Sequence, residues 1–481
     1  MLVACEQKPA VSLHQGTVSN ADIDPAPKTD ERIDEWMTPA TGWFEDPRGA
    51  EVISARQRGD EETATTLLRA LLDSEALSSH DRAGALVLFG REALAAGRYD
   101  EAFTSFGEAA EARDFAAIAA QLTLWQAEAA LRGNKPDAAK TLLEGLEVSP
   151  TYASERAALW MRAIQRVGTD EEAQASLEQF LEQYPEHDQR FEARDALARR
   201  IEATDPARAR DLYERVILAV PLSTFADRAR EGIERLDKIS KGRPPRAERR
   251  SFEREAKVAK LESELGRRRY RSVVKDADAL LKTKSLTKPQ RCRVAYARAK
   301  AIFRQRKRAQ ARVPFDAAGV ACEAADDWNL VVKARYQSAR GRYAAGEYPA
   351  AAKAFMALAD AFPKHSYADD ALLLAGESWD SAGEVPRAEA AWASALERFP
   401  EGDMRGEIQR RLMLSAFNSG NPERVLQVVE AALVAAKPGR AETAKLHYFQ
   451  ARALDLLGRG GEALRAYFAA GQMRWRRLFR S

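Results

Sequence analysis

The sequence predicts an all-α fold in which helix-turn-helix hairpins stack into a right-handed α-solenoid, curved or partly ring-shaped. Two similar copies of one hairpin follow each other between Lys333 and Pro400. A glycine followed five residues later by a small residue also recurs along much of the chain, at intervals of 35 to 38 residues. Such self-similarity is typical of repeat arrays, which grow by stacking units and not by enlarging a single core.

Each copy contains the same parts. Gly346 and Gly383 end the first helices of the two clearest copies, because glycine adopts a left-handed backbone at no steric cost. Ala351 and Ala388 follow five residues later, where two helices would cross closely. The predicted repeat turns are Gly59, Gly97, Gly133, Gly168, Gly346, Gly383, Gly420 and Gly458. With weaker copies near residues 205–206, 266 and 304–308, the pattern predicts ten or eleven hairpins of tetratricopeptide type.

The arrays are bounded by segments of different composition. We expect a disordered tether up to residue 49, a first array at 50–237, a basic linker at 238–250, a second array at 251–473 and a basic tail at 474–481. The tether is rich in Pro, Ser, Thr, Asp and Gln, which favours disorder. The linker contains Gly242, Pro244 and Pro245, which do not fit inside a helix.

The first residues have the form of a bacterial lipobox. Leu2, Val3 and Ala4 precede Cys5, which would be lipidated and would become the mature N-terminus. The charged and apolar regions of a signal peptide are missing before it, so a chance cysteine in a cytosolic protein is the alternative. No apolar run approaches the ~20 residues that span a bilayer. We therefore expect a periplasmic protein that meets the membrane only through its lipid anchor.

Positive charge is concentrated in one part of the chain. The net charge is +3, yet residues 238–312 contain 26 Lys or Arg against seven Asp or Glu. This asymmetry predicts an acidic partner or, alternatively, a solvated basic surface. The expected contacts are Arg267, Arg268, Arg269, Arg306 and Arg308. A nucleic-acid partner is not expected, because no aromatic residues are interleaved and no recognition motif follows.

The two cysteines of the second array fall at matching levels of one hairpin. Cys292 lies 14 residues before Arg306 and Cys322 lies 16 residues after it, so antiparallel helices would bring them together. A disulfide there would require an oxidising compartment. Two buried thiols that never pair are the alternative. No Cys or His cluster predicts a metal site, and no motif predicts a cofactor.

Three segments of the second array resemble one family. HSYADDALLLAGESW, GDMRGEIQRRLMLSAFNSGN and YFQARALDLLGR are similar to the superhelical region of soluble lytic murein transglycosylases. The resemblance implies an α-solenoid in the cell envelope that binds peptidoglycan or an envelope protein. Outer-membrane assembly lipoproteins and Tol-associated repeat proteins carry similar segments, so a generic protein scaffold is the alternative.

The family's catalytic domain is missing from this chain. Its active site has a Glu-Ser pair followed by a Gly-Leu-Met-Gln-type stretch. Glu377 and Ser378 form such a pair, but they lie within a repeat helix and no such stretch follows. We therefore interpret Glu377 as structural, assign no catalytic residue and expect the chain not to be an enzyme. A transglycosylase truncated before its catalytic domain is the remaining alternative.

Overall fold

The computed structural model describes residues 44–166, 170–238, 244–435 and 440–475. Every regular element within these ranges is a helix, which confirms the predicted all-α fold. The chain forms two compact units, one ending at Ile201 and the other beginning at Glu202. Within each unit, nearly all consecutive helices pack against one another, as a stack of hairpins requires, except that the helix Arg246–Gly266 packs against Pro206–Ala219.

The helices are short and closely spaced. In the first unit they are α1 Pro47–Gln57, α2 Glu61–Leu72, α3 Ser79–Ala95, α4 Tyr99–Glu111, α5 Ala119–Arg132, α6 Pro136–Leu143, α7 Ala153–Ile164, α8 Asp170–Gln183 and α9 Arg190–Ile201. In the second unit they are α10 Pro206–Ala219, α11 Thr224–Lys238, α12 Arg246–Gly266, α13 Tyr270–Leu281, α14 Lys288–Arg304, α15 Arg312–Glu323, α16 Trp328–Ala344, α17 Tyr348–Ala361, α18 Ala368–Ser381, α19 Val385–Arg398, α20 Arg405–Asn418, α21 Pro422–Ala435, α22 Arg440–Leu456 and α23 Gly460–Trp475. Short 3-10 helices, Arg113–Ile118 and Ala309–Ala311, precede α5 and α15.

The predicted basic linker at 238–250 overlaps helices at both ends. Lys238 is the last residue of α11, and α12 begins at Arg246. Residues 246–250 are therefore helical, and the linker prediction is wrong for them. Pro244 and Pro245 do not prevent this, because both stand before the helix, where a proline does not interrupt its hydrogen bonds.

The repeat turns contain the expected left-handed residues. Six predicted glycines have φ between 67° and 77°: Gly59, Gly97, Gly346, Gly383, Gly420 and Gly458. The prediction for Gly133 is wrong, because its φ is −76° and Asn134 is left-handed instead, with φ 56°. Asparagine tolerates this conformation. A Cβ on Gly133 would lie 3.2 Å from the Ala129 carbonyl oxygen and from the Tyr99 Cβ, so close packing accounts for this glycine. Gly168 lies outside the described residues.

A buried residue follows five positions after each of these left-handed residues. At the glycine turns these residues are Ala64, Ala102, Ala351, Ala388, Val425 and Ala463, each at most 1% exposed. Counting from Asn134 moves the position from Ala138 to Ala139, which is fully buried. The turn therefore determines which side chain lies at the helix crossing, and a small side chain there permits close packing.

A disulfide ties together one hairpin of the second unit. Cys292 on α14 and Cys322 on α15 are joined with an S–S distance of 2.05 Å and a Cα–Cα distance of 4.4 Å. Both residues are fully buried and pack against Val331. The bond links the two helices on either side of the turn that contains Arg306.

Enlarging the crossing residue should destabilise the stack. We expect Ala351→Leu to lower the free energy of unfolding by about 1–3 kcal/mol, because the added atoms overpack a closed contact. Ala350→Leu is the matched control, since Ala350 is exposed on the same helix and should change stability by less than about 0.5 kcal/mol. Urea unfolding followed by circular dichroism measures both, and equal effects would contradict the crossing model.

Removing the disulfide should destabilise the second unit. The bond closes a loop of 30 residues, so we expect the Cys292→Ala/Cys322→Ala variant to lose about 3 kcal/mol of unfolding free energy. Reductant should lower the stability of the wild type in the same urea titration and leave the variant unchanged. A wild type that is insensitive to reductant at complete thiol release would refute this.

Candidate anion-binding site

Two neighbouring bays open in the basic part of the second unit. The first bay has a volume of about 470 Å³ and is lined by Pro221, Leu222, Asp227, Arg230, Lys260, Glu264, Arg267 and Arg269. The second bay has a volume of about 580 Å³ and is lined by Glu264, Arg268, Arg269, Tyr270, Arg271, Ser272 and Gln305. Cationic side chains outnumber acidic ones in both, so the pair of bays is suited to an anionic ligand.

The turn between α12 and α13 builds the wall shared by both bays. The backbone N–H of Arg269 donates to the carbonyl oxygen of Glu264 at 2.9 Å, and that of Arg268 donates to the carbonyl oxygen of Leu265 at 3.1 Å. These bonds close the end of α12 as in a Schellman motif. The guanidinium groups therefore extend from a backbone that is already fixed.

Arginine takes the left-handed position at this turn and at the next hairpin turn. Arg268 has φ 61° and Arg306 has φ 64°. Val273 and Ala311, five residues later, are fully buried, as at the glycine turns. A left-handed residue other than glycine costs roughly 1–2 kcal/mol. The sequence marks both arginines as basic contacts but does not show that they occupy the glycine position.

Several acidic residues in this region form ion pairs within the fold. Arg293 binds both Glu255 and Glu262, and its hydrogen bond to Glu262 raises the pKa of its guanidinium. Arg298 binds Asp278 at 2.5 Å. The Glu264 carboxylate accepts a hydrogen bond from Ser272 Oγ at 2.8 Å. Four of the seven acidic residues in 238–312 therefore have a partner within the fold. The remaining positive charge is left on the surface.

The five predicted contacts fall into two groups. Arg267, Arg268 and Arg269 line the bays, whereas Arg306 follows directly after the lining residue Gln305. Arg308 lines neither bay and places its guanidinium 5.6 Å from the Phe303 ring. All five are exposed, and none forms an ion pair with a residue that the structure describes.

Three cations of the bays were missed from the sequence. Arg271 and Lys260 lie within the basic region, and the run from Arg267 to Arg271 could have suggested the former. Arg230 lies outside that region, on α11, and lines the first bay together with Lys260 of α12. It pairs with Asp227 at 2.6 Å, so it is already partly neutralised.

The Glu-Ser pair of α18 is engaged in helix packing. The Glu377 carboxylate accepts from Arg411 on α20 at 2.5 Å, and burial raises its pKa. Ser378 is fully buried and donates its hydroxyl to the Leu374 carbonyl oxygen at 2.6 Å. Both contacts agree with the structural role that the sequence suggests for Glu377.

The described ranges contain neither a candidate metal site nor a candidate membrane span. No group of three or more His, Cys, Asp or Glu side chains in them is arranged to hold a metal ion. No helix in them is long and apolar enough to cross a membrane. Cys5, the predicted lipidation site, and residues 476–481 of the predicted basic tail lie outside the described residues.

An acidic cluster at the start of α18 was also missed. Asp369 is 7% exposed, and its Oδ1 accepts from the backbone N–H of Asp370 at 2.9 Å. Burial raises the pKa of Asp369, and a hydrogen bond with Asp403 adds to the increase. Burial and the charges of Asp369 and Asp403 raise the pKa of Asp370. The folded chain therefore binds protons here more tightly than the unfolded chain does.

Comparisons with known proteins identify the repeat in one segment. Residues 152–187 match the family model described as tetratricopeptide repeat. No curated protein matches the chain.

Solved structures with similar helical arrangements have low sequence identity. A Rap protein complexed with competence and sporulation factor is 13% identical with a TM-score of 0.30, covering 74% of this chain and 98% of its own. The apo form of RapI is 11% identical with a TM-score of 0.33, covering 74% and 97%. Cut9–Hcn1 of the APC/C is 13% identical with a TM-score of 0.26, covering 88% and 85%. Similarity at this level does not indicate a function for this chain.

Neutralising Asp369 should stabilise the chain in a pH-dependent way. A carboxyl whose pKa is raised on folding contributes stability at low pH and loses it as the pH rises through the folded pKa. We therefore expect Asp369→Asn to increase the free energy of unfolding at pH 7.5 and to have a smaller effect at pH 4. Urea unfolding at the two pH values measures this.

Asp380→Asn is the control for this change. Asp380 is exposed at the other end of α18, so its substitution should have little effect at either pH. Destabilisation by Asp369→Asn at pH 7.5 would show that the carboxylate makes a favourable contact there.

Proposed function

We propose that this chain is a non-catalytic repeat scaffold that holds an anionic partner against its basic bays. The observation that carries this proposal is the set of unpaired arginines on two consecutive hairpin turns. Stacked helical hairpins present long surfaces for binding other proteins. Exposed guanidinium groups attract carboxylates and bind them through paired hydrogen bonds.

We place the scaffold in the cell envelope, next to peptidoglycan. Leu2 to Cys5 resemble a lipobox, and the disulfide of α14 and α15 favours an oxidising compartment. The resemblance of the second array to lytic murein transglycosylases points to peptidoglycan as the polymer. The carboxylates of the peptide stems of peptidoglycan are suitable ligands for the arginines. The partner in this proposal is peptidoglycan or an envelope protein bound to it.

A general protein-binding scaffold is the second candidate. The tetratricopeptide match at residues 152–187 favours it, because such repeats are common protein-binding modules. This candidate places no requirement on the cell envelope. It predicts binding to a protein and no binding to washed sacculi.

Charge reversal at the five predicted arginines should weaken sacculus binding. We expect Glu at positions 267, 268, 269, 306 and 308 to weaken co-sedimentation with washed sacculi by roughly tenfold or more, since each exposed ionic contact contributes about 0.2–1 kcal/mol. The same five positions substituted by lysine form the matched control and should retain most of the binding. Neither protein should release muropeptides.

The outcomes separate the candidates. Unchanged binding after charge reversal would refute the role of these arginines. A wild type that ignores sacculi but cross-links to a protein in intact cells through these positions would favour the general scaffold. Muropeptide release by the purified chain would overturn the non-catalytic assignment.

A further inference from the structure

Two consecutive hairpin turns depart from the repeat in the same way. Among the described residues, seven glycines have a left-handed backbone, as do Asn134 and Asp326, and these residue types tolerate it. Arginine occupies this position at Arg268 and Arg306, in two neighbouring hairpin turns. Glycine would fill these positions without strain. Strained residues that persist although an unstrained alternative exists are concentrated at functional sites.

The two turns meet at one bay. Arg268, Arg269 and Arg271 line the second bay from the turn between α12 and α13. Gln305 lines it from the following hairpin, and Arg306 is the next residue in the chain. The bay of about 580 Å³ is therefore bounded by one left-handed arginine and adjoins the other.

The charge of this bay is not balanced from within. Glu264 is the one acid among its lining residues in the described chain, and it is 5% exposed and hydrogen-bonded to Ser272. Arg268, Arg269, Arg271 and Arg306 are exposed and have no carboxylate partner among the residues placed by the structure. An external anion would supply the missing counter-charge.

We propose that Arg268 and Arg306 together bind two neighbouring carboxylates of an acidic segment in a partner protein. This deepens the proposed function and rests on it. The guanidinium groups provide the fork geometry that carboxylates accept. Side chains on one face of an extended segment repeat every ~7 Å, so a single segment presents several acids to adjoining turns.

The surroundings of the bay favour a protein segment over other polyanions. Single-stranded nucleic acids gain much of their affinity from stacking on exposed aromatic side chains. Tyr270, the aromatic residue lining this bay, is half-buried and packs against the cluster around Val273. No large apolar side chain in the lining is exposed for insertion into a bilayer.

The test measures binding and stability on the same variants of the full chain. Fluorescence anisotropy of a labelled decaglutamate at low salt reports binding. We expect Arg268→Gly/Arg306→Gly to weaken binding at least tenfold and to raise the urea midpoint, because glycine relieves two left-handed strains. Lys282→Gln/Lys284→Gln removes two exposed charges from the same region outside the bay and should weaken binding less than threefold.

Three results would overturn the proposal. One is that the glycine variant binds decaglutamate as tightly as the wild type or as the Lys282→Gln/Lys284→Gln control variant does. Another is a lowered urea midpoint, which would mean that the arginines stabilise the turns. The third is tighter binding to phosphatidylglycerol vesicles or to a ten-nucleotide oligothymidine than to decaglutamate, with the same loss in the glycine variant.

The result also separates this proposal from the function on which it rests. If the wild type ignores decaglutamate while sacculus binding still requires the five arginines, the acidic-segment proposal fails and the scaffold proposal stands. If neither ligand binds and no partner cross-links at these positions, both proposals fail.

Discussion

The close crossing of two helices, five residues after a left-handed turn residue, is the constraint on which each repeat depends. The turn reverses the chain, and the crossing residue decides how near the second helix can approach. Val273 and Ala311 are as fully buried as Ala351 and Ala388, although arginine replaces glycine at their turns. The crossing is therefore maintained even where the turn residue is strained, and it fixes Arg268 and Arg306 at the tips of their hairpins.

The repeat pattern could be found from the sequence because it rests on backbone freedom, a property of single residues. The same reasoning misplaces one turn at Gly133 and Asn134, since both residues tolerate unusual backbone conformations and packing decides between them. It also finds only weak copies at Arg268 and Arg306. At these turns, the packing of the flanking helices imposes a conformation that the local sequence does not favour, which no propensity reveals.

The sequence predicts which region is basic, but it does not predict which of the charges in that region are paired. The excess of lysine and arginine locates the basic surface, but the partners of each charge lie on other helices. Arg293 and Arg298 look no different in sequence from Arg267, yet they bind acids 20 to 38 residues away. Pairing depends on which faces of neighbouring helices meet. The disulfide was easier to anticipate, because equal offsets from one turn suffice to place Cys292 beside Cys322.

Solubility alone does not account for where the unpaired charges lie. An exposed arginine costs little folding stability anywhere on a helical surface, and residues 238–312 contain many such positions. A left-handed arginine is different, because it is disfavoured by roughly 1–2 kcal/mol relative to an unstrained backbone. If charge were needed only for solvation, glycine could occupy these two turns as it does six of the repeat turns predicted from the sequence. The strain and the unpaired charge coincide at adjoining turns beside one bay, which is the arrangement expected where the position of the charge, and not its amount, is under selection.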